Sequence, residues 1–171
     1  MSEEAIMRAM EEMPYGVYII GSKMDGEVNG MLAEWVVQVS FSPRLVAVSL
    51  ENDARTLENV QASKVFTVSL LPQESMDLAS QFAQPYYGRK IHGRTGVGAD
   101  EVHRKLTGIP HNLTRRGCPV LEASIVWFEC EVEQFLPVGD HTLVIGRVTE
   151  GQEQREGEPL TKMYTGWTYC G

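Results

Sequence analysis

The sequence has little cysteine and no long apolar run. Its three cysteines, Cys118, Cys130 and Cys170, form neither a C-x-x-C pair nor a zinc-binding spacing. The four histidines show no convincing helical i, i+4 pair, so we expect no metal site. A redox-active cysteine pair is disfavoured because exchange needs a reactive thiolate with a neighbour. No stretch of roughly 18 or more apolar residues is present, which predicts that no segment spans a bilayer.

Positive charge is also scarce. Fifteen Lys and Arg residues against 23 Asp and Glu residues give a formal net charge of −8 and a pI near 5.0. This balance argues against a nucleic-acid partner, whose affinity would come largely from cations that neutralise phosphates. The first 13 residues are acidic and lack the apolar core of a signal peptide, which predicts a cytoplasmic location.

What is present suits one globular domain over residues 1–171. The chain is 43% hydrophobic and 22% charged, and its 171 residues are enough for one core. Pro14 ends the first of three predicted helices, which are Ser2–Met13, Ala54–Ala62 with Asp53 as its cap, and a helix that begins near Pro72 and carries Phe82.

Strands are expected to outnumber these helices. One β-prone run, Val28–Phe41, is predicted to be interrupted at Asn29-Gly30. The other predicted strands are Gly16–Ser22, Leu45–Leu50, Val65–Leu71, Ser124–Leu136, which contains a buried Cys130, and Thr142–Glu150. Because regular helical crossovers are missing, we expect a mainly β fold of the α+β class, an antiparallel barrel with peripheral helices.

A long polar stretch, Gln84–Gly117, separates the two groups of strands. Loops of this length usually have a function or border a partner, and Ala99–Leu106 could form a short helix within this one. Its glycine-rich motif, Gly93-Arg-Thr-Gly96-Val-Gly98, is a candidate phosphate-binding loop. No strand precedes the motif and its spacing matches no nucleotide-binding pattern, so an ordinary loop is favoured.

The turn Asn52–Thr56 is the better candidate for an anion site. It joins an apolar strand to a helix start, where free amides and the helix dipole favour an anion, and Arg55 and Thr56 add a cation and a hydroxyl. An ordinary capped helix with a solvated arginine explains the pattern equally well.

The run Asn29–Ser40 carries polar residues among apolar ones. Partly buried Asn29, Glu34, Gln38 and Ser40 would need partners, which a heteroaromatic ring with carbonyl and N–H edges, such as isoalloxazine, would supply. From the residues alone, the alternating faces of a half-exposed strand remain the favoured interpretation. His141, beside Asp140, could donate to a substrate, although turn-capping histidines are commoner.

Taken together and in order, several segments resemble the flavin-reductase-like, FMN-binding split-barrel family. The resemblance covers roughly residues 5 to 165 and is carried by PYGVYIIGSK, VNGMLAEWVVQVSFSPRLVAVSL, NDART, GCPVLEASIVWFECEV and VGDHTLVIGRV. It implies a homodimer with flavin sites near the subunit interface. Such proteins reduce flavin with NADH or NADPH for a partner oxygenase, or keep FMN as an electron carrier of the flavoredoxin type. A split-barrel protein that has lost flavin and acts as a non-redox dimeric binding module is the third alternative.

The resemblance also assigns residues, with FMN as the expected cofactor and FAD as an alternative. One group would line the flavin ring: Asn29, Met31, Ala33 and Glu34. A second would meet its pyrimidine edge, largely through the backbone: Gln38, Val39 and Ser40. A third would hold the phosphate: Asn52, Arg55 and Thr56. Two single residues remain, Gln81 to close over the cofactor and His141 as the catalytic candidate near the nicotinamide.

Two departures from the family pattern stand out. Many relatives have threonine, and serine or asparagine, where this chain has Leu32 and Glu34. A carboxylate close to a phosphate is unfavourable, so Glu34 is expected to point elsewhere, meet Arg55 or indicate a changed ligand. The stretch Gln84–Gly117 is also longer and more basic than expected. Residues there that could gate the nicotinamide or grip a phosphate, unless the loop is simply solvated, are Tyr86, Tyr87, Arg89, Lys90 and Arg94.

Overall fold

The computed structural model describes residues 2–90 and 100–167. Within these ranges the strands are β1 (Tyr18–Met24), β2 (Glu27–Ala33), β3 (Val36–Phe41), β4 (Arg44–Glu51), β5 (Val65–Leu70), β6 (His111–Leu113), β7 (Pro119–Leu121), β8 (Val126–Val138) and β9 (His141–Glu153). The helices are α1 (Glu3–Glu11), α2 (Arg55–Ser63), α3 (Met76–Phe82) and α4 (Lys162–Thr165), with 3₁₀ turns at Gln73–Ser75 and Gly88–Lys90.

Seven of the strands form one antiparallel sheet in the order β2-β1-β5-β8-β9-β4-β3. The sheet encloses one apolar core, with side chains from six strands and α2: Ile20, Ala33, Val46, Leu57, Phe66, Cys130 and Val144. Strands β2 and β3 follow each other in sequence but lie at opposite ends of the strand order. The predicted mainly β, antiparallel architecture with peripheral helices is confirmed, as a barrel that stays open between these two strands.

The predicted interruption at Asn29-Gly30 is wrong. Both residues lie inside β2, which pairs with β1 without a break from Tyr18↔Ala33 to Met24↔Glu27. Gly30 is there because α3 approaches closely: a Cβ at this position would lie 2.6 Å from the ring of Phe82. The break between strands falls instead at residues 34–35.

Helix α2 confirms the helix predicted after β4, but Asp53 is not its cap. Ala54 is the N-cap residue and makes no side-chain capping bond, while Asp53 forms an ion pair with Lys90. Leu57 and Val60 bury one face of the helix in the barrel core. The uncapped first turn of α2 therefore lies directly beyond the end of β4.

The helix predicted at Ala99–Leu106 is wrong over its described part, from Asp100 onward. Residues 105–106 lie in a turn, and residues 101–103 instead pair with the chain that follows α3: Gly88 N donates to Glu101 O at 2.9 Å, and His103 N donates to Tyr86 O at 2.7 Å. This long-range ladder competes successfully with local helix formation. The glycine motif Gly93–Gly98 and Arg94 lie outside the described residues, as does Cys170.

Other sequence predictions concern burial and membrane contact. Cys130 is fully buried as predicted, and Cys118 is buried as well; both thiols are free, and burial, together with Glu129, raises their pKa to about 12. Among the helices of residues 2–90 and 100–167, none has the length and apolar character needed to cross a membrane.

Candidate functional site

A cavity of about 430 Å³ lies where the end of β2, the start of α2 and the segment after α3 meet. This volume is within the range of roughly 300–1,000 Å³ that is typical of small-molecule sites. Its wall contains five of the residues predicted to bind a cofactor, together with the catalytic candidate: Met31, Ala33, Glu34, Arg55, Thr56 and His141. The two segments singled out in the sequence, Asn29–Ser40 and Asn52–Thr56, therefore meet at one cavity.

The first turn of α2 forms one end of the cavity. Amide groups of an uncapped helix start are free to bind an anion, and Thr56, only 2% exposed, adds a buried hydroxyl. Arg55 is held in place: its Nη1 lies 3.0 Å from Glu58 Oε2, and its guanidinium lies 5.4 Å from the ring centre of Tyr86. With 19% of its side chain exposed, Arg55 is not the solvated arginine of an ordinary surface helix.

Two lysines also line the cavity, and they differ in their partners. Lys90 Nζ lies 2.6 Å from both Glu51 and Asp53, which offset its charge. Lys105 Nζ donates to the carbonyl of Phe82 at 3.1 Å and has no carboxylate partner among the described residues. Burial lowers the pKa of Lys105 to about 8. Lys105 is thus a half-buried cation for which an anion would be a favourable neighbour.

Sequence analysis did not find Lys105. The residue lies in the stretch Gln84–Gly117, which has no periodicity, and only the ladder between Tyr86–Gly88 and Glu101–His103 brings it to the cavity. The basic character of that stretch was the feature of the sequence that could have indicated a cation at the cavity. Tyr86, Tyr87 and Lys90 also line the cavity, whereas Arg89 packs over the ring of Tyr87 at 4.3 Å.

The end of β2 forms the opposite wall. Met31 and Ala33 present apolar surface, and Glu34 follows them at the break between β2 and β3. Glu34 is 7% exposed, and both of its carboxylate oxygens lack a hydrogen-bond partner. Burial raises the pKa of Glu34, and the charge of Lys162 opposes this only in part. Glu34 does not meet Arg55, whose carboxylate partner is Glu58.

His141 lines the cavity beside Trp35. Their ring centres are 5.0 Å apart, and His141 Nδ1 lies 2.6 Å from Asp140 Oδ1, so the imidazole is held on two sides. This hydrogen bond lowers the pKa of the exposed Asp140. The arrangement orients a half-buried ring that can form a hydrogen bond with a bound molecule.

The remaining predicted site residues lie outside this lining. Gln38, Val39 and Ser40 are on the edge strand β3, at a β-bulge. Asn52 accepts a hydrogen bond from Thr142 Oγ1 at 2.8 Å and fixes the β8–β9 turn. Gln81 is exposed on α3. Their contacts with a cofactor stay predictions.

Asn29 lines a second, smaller cavity of about 260 Å³, which shares Arg55 and Tyr86 with the first. Both polar atoms of its side chain are buried without a hydrogen-bond partner, as is Oδ1 of the neighbouring Asn59. Over residues 2–90 and 100–167, no group of three or more His, Cys, Asp or Glu side chains converges in a way that could hold a metal ion.

Comparisons with known proteins identify the family of the chain. The sequence matches the flavin reductase like domain over residues 10–170, and the chain belongs to that family.

Individual relatives agree with this assignment. The chain is 30% identical over 159 residues to the high molecular weight rubredoxin of Moorella thermoacetica, covering 92% of this chain and 64% of the relative. It is 33% identical over 154 residues to NADH-dependent FMN reductase AsuE2 of Streptomyces nodosus subsp. asukaensis, with coverages of 90% and 77%. The solved structure of flavin reductase HpaC complexed with NADP⁺ has a TM-score of 0.77 at 25% identity and covers 98% of this chain and 97% of its own. The chain thus spans slightly less than two thirds of the rubredoxin's length.

Proposed function

We propose that the protein is an NAD(P)H-dependent flavin reductase that holds FMN in the cavity between β2 and α2. The observation that carries this proposal is the continuity of the cavity: an anion-binding end, formed by the first turn of α2 with Arg55 and Lys105, opens onto a largely apolar wall at Met31 and Ala33. A flavin nucleotide has the same order of parts, a charged phosphate joined to a large ring.

The anion-binding end suits the phosphate. Free amides of the α2 first turn and the hydroxyl of Thr56 would donate to its oxygens, and Arg55 presents a planar fork that can donate two hydrogen bonds. Lys105 would supply a second charge at short range. FAD, which carries a further phosphate and an adenosine, remains the alternative ligand.

The β2 end suits the ring. When bound, the flavin would supply the redox chemistry by accepting hydride from a nicotinamide. The chain's own residues orient the reactants and exclude water: Met31 and Ala33 give an apolar contact surface, and the fixed imidazole of His141 would position the nicotinamide. No acid–base dyad is required for hydride transfer, which agrees with the absence of one from the sequence patterns.

The test is direct. Purified protein is titrated with FMN and FAD by flavin fluorescence, and the loaded protein is then mixed anaerobically with NADH and with NADPH. The expected result is flavin binding followed by rapid bleaching of its visible absorbance with at least one of the nucleotides. Failure to bind either flavin would refute the proposal.

Electron transfer without a nucleotide substrate is the second candidate, and the similarity to the high molecular weight rubredoxin favours it. In that case FMN would stay bound and exchange electrons with a redox partner protein, whereas a reductase would serve an oxygenase or another acceptor. Bound flavin that neither NADH nor NADPH bleaches, but that dithionite reduces, would support the carrier.

The proposal includes a homodimer. β3 is an edge strand with exposed Val37, Val39 and Phe41, and long apolar edges of this kind are normally covered. A second copy that packs on β3 would also bring the predicted residues Gln38, Val39 and Ser40 near a flavin site at the interface.

A further inference from the structure

Glu34 is a buried carboxyl group with no partner of its own. It lies in the wall of the cavity, where the strand β2 ends, and both of its oxygens are buried without a hydrogen bond. Buried polar groups are almost always hydrogen-bonded, and an exception at a cavity wall suggests that a bound ligand supplies the missing hydrogen-bond partner.

The nearby cations are all engaged elsewhere. In the cavity, Arg55 pairs with Glu58, Lys90 pairs with Glu51 and Asp53, and Lys105 donates to a backbone carbonyl. Behind the cavity, Lys162 of α4 donates to the carbonyl of Glu11 and lies over the ring of Tyr15 at 5.4 Å. The imidazole of His141, on β9, is bound to Asp140. No described cation forms an ion pair with Glu34, and the charge of Lys162 would compensate an ionised carboxylate only in part.

The surroundings therefore favour the neutral acid. Burial raises the pKa of Glu34, in the direction expected for a carboxyl group whose charged form is poorly solvated. A neutral carboxyl group is both a donor and an acceptor, whereas a carboxylate only accepts. The isoalloxazine ring presents carbonyl oxygens and unprotonated ring nitrogens, which need donors.

We infer that Glu34 enters the flavin complex as a neutral carboxylic acid that donates a hydrogen bond to an acceptor atom of the ring, so that flavin binding is coupled to the uptake of a proton at Glu34. The inference rests on the proposed function and adds a specific role for Glu34. The proton comes from solvent, and no bond other than the carboxyl O–H forms.

Isothermal titration calorimetry measures the coupling without relying on activity. FMN and riboflavin are each titrated into the protein from pH 5 to pH 9, in pairs of buffers that differ in ionisation enthalpy. Once the pH exceeds the pKa of Glu34 in the free protein, the wild type should take up about one proton more than Glu34→Gln, and its dissociation constant should rise about tenfold per pH unit. Glu34→Gln keeps a hydrogen-bond donor but cannot titrate, so it should show neither the extra proton uptake nor this rise of the dissociation constant with pH.

Lys105→Met is the matched control. Any proton uptake by Lys105 depends on the phosphate, which riboflavin lacks. The difference in proton uptake between wild type and Glu34→Gln should therefore persist in the Lys105→Met background and with riboflavin. Equal proton uptake in wild type and Glu34→Gln, or tighter binding by the wild type as the pH rises, would overturn the inference and leave the flavin site intact. Absence of flavin binding by the wild type would remove the proposed function and this inference together.

Thermal stability of the flavin-free protein gives a second measurement. Because the folded-state pKa of Glu34 is raised, its contribution to stability is complete below the unfolded value and is lost as the pH rises through the folded value. Glu34→Gln should therefore have a higher Tm than the wild type at pH 8 and a similar Tm at pH 4. A Tm advantage that does not change with pH would contradict a titrating Glu34.

Discussion

Arg55 is the single side chain on which the anion-binding end of the cavity depends most. Glu58 and Tyr86 fix its guanidinium at the first turn of α2, so binding a phosphate requires little further ordering. Arg55→Ala should weaken FMN binding by about 1.5–3 kcal/mol, the usual scale of a charge-assisted hydrogen bond. Fluorescence titration measures the change, and Arg155→Ala, which removes an arginine away from the cavity, should bind FMN like the wild type. Equal affinities of the two variants would mean that the phosphate lies elsewhere.

Lys105 predicts a pH dependence of FMN affinity. Its pKa in the free protein is lowered to about 8, and a bound phosphate would raise it by favouring the ammonium form. The affinity should then be insensitive to this group below pH 8 and fall by up to about tenfold per unit as the pH rises above 8. In Lys105→Met the affinity should be lower at pH 7, and the part of the decline that begins near pH 8 should be absent, while any decline caused by Glu34 remains. A wild-type profile that is flat from pH 8 to pH 9.5 would contradict the assignment.

The role of a residue could be predicted where it depends on a local sequence pattern. It could not be predicted where tertiary contacts determine it. Arg55 and Thr56 follow a strand and begin a helix, and that arrangement is visible in the sequence. Lys105 belongs to an aperiodic segment whose path is set by a ladder to Tyr86–Gly88, so its burial could not be inferred. That Glu34 has no hydrogen-bond partner could likewise not be predicted, because it depends on every neighbouring cation having another partner.

At the level of elements, the contact between β2 and α3 controls the shape of the cavity. A Cβ on Gly30 would lie 2.6 Å from Cε1 and 2.9 Å from Cδ1 of Phe82, a fully buried ring that also lines the cavity. Gly30→Ala should therefore destabilise the fold by about 1–3 kcal/mol through overpacking. Urea unfolding measures the loss.

The same contact supplies the control for that variant. Phe82→Leu makes room at Gly30, so the double variant should lose less stability than the sum of the two single variants. Additive losses would show that the strain arises elsewhere. The sequence suggested a strand break at Asn29-Gly30 because glycine usually punctuates; the structure shows that glycine can also permit a helix to approach a continuous strand.

Elements with strong local patterns were predicted well, and those defined by distant pairing were not. The β-prone apolar runs that form β4, β5, β8 and β9, and the helix α2, are recognisable from their own local composition. The segment Asp100–Leu106 has helix-compatible residues but pairs instead with the chain after α3, because backbone groups there find partners across the loop. Local preference is weak enough for such tertiary contacts to override it.

At the scale of the whole molecule, the edge strand β3 carries apolar side chains that a single chain leaves exposed. Phe41, the most exposed apolar side chain of β3, is 86% accessible, and Val37 and Val39 on the same strand are also exposed. A β-bulge between Gln38 and Ser40 interrupts the alternation of side chains along β3, so that Val37 lies opposite Ala47 and Phe41 lies opposite Arg44. An edge strand of this kind either associates with another copy or promotes aggregation.

We expect the protein to be a homodimer in solution, with β3 at the interface. Sedimentation velocity should give roughly twice the mass of the 19.1 kDa chain, and Phe41→Lys with Val39→Lys should shift the protein to the monomer, because two lysines would be buried against their symmetry mates. Met163→Lys, at an apolar position on α4 that is 75% exposed, is the control and should leave the dimer intact. If the β3 variant stays dimeric while keeping its circular dichroism spectrum, the interface lies on another surface. If it becomes monomeric and also loses FMN affinity, the flavin site is completed by the second subunit, which would explain why Gln38, Val39 and Ser40 lie outside the cavity of one chain.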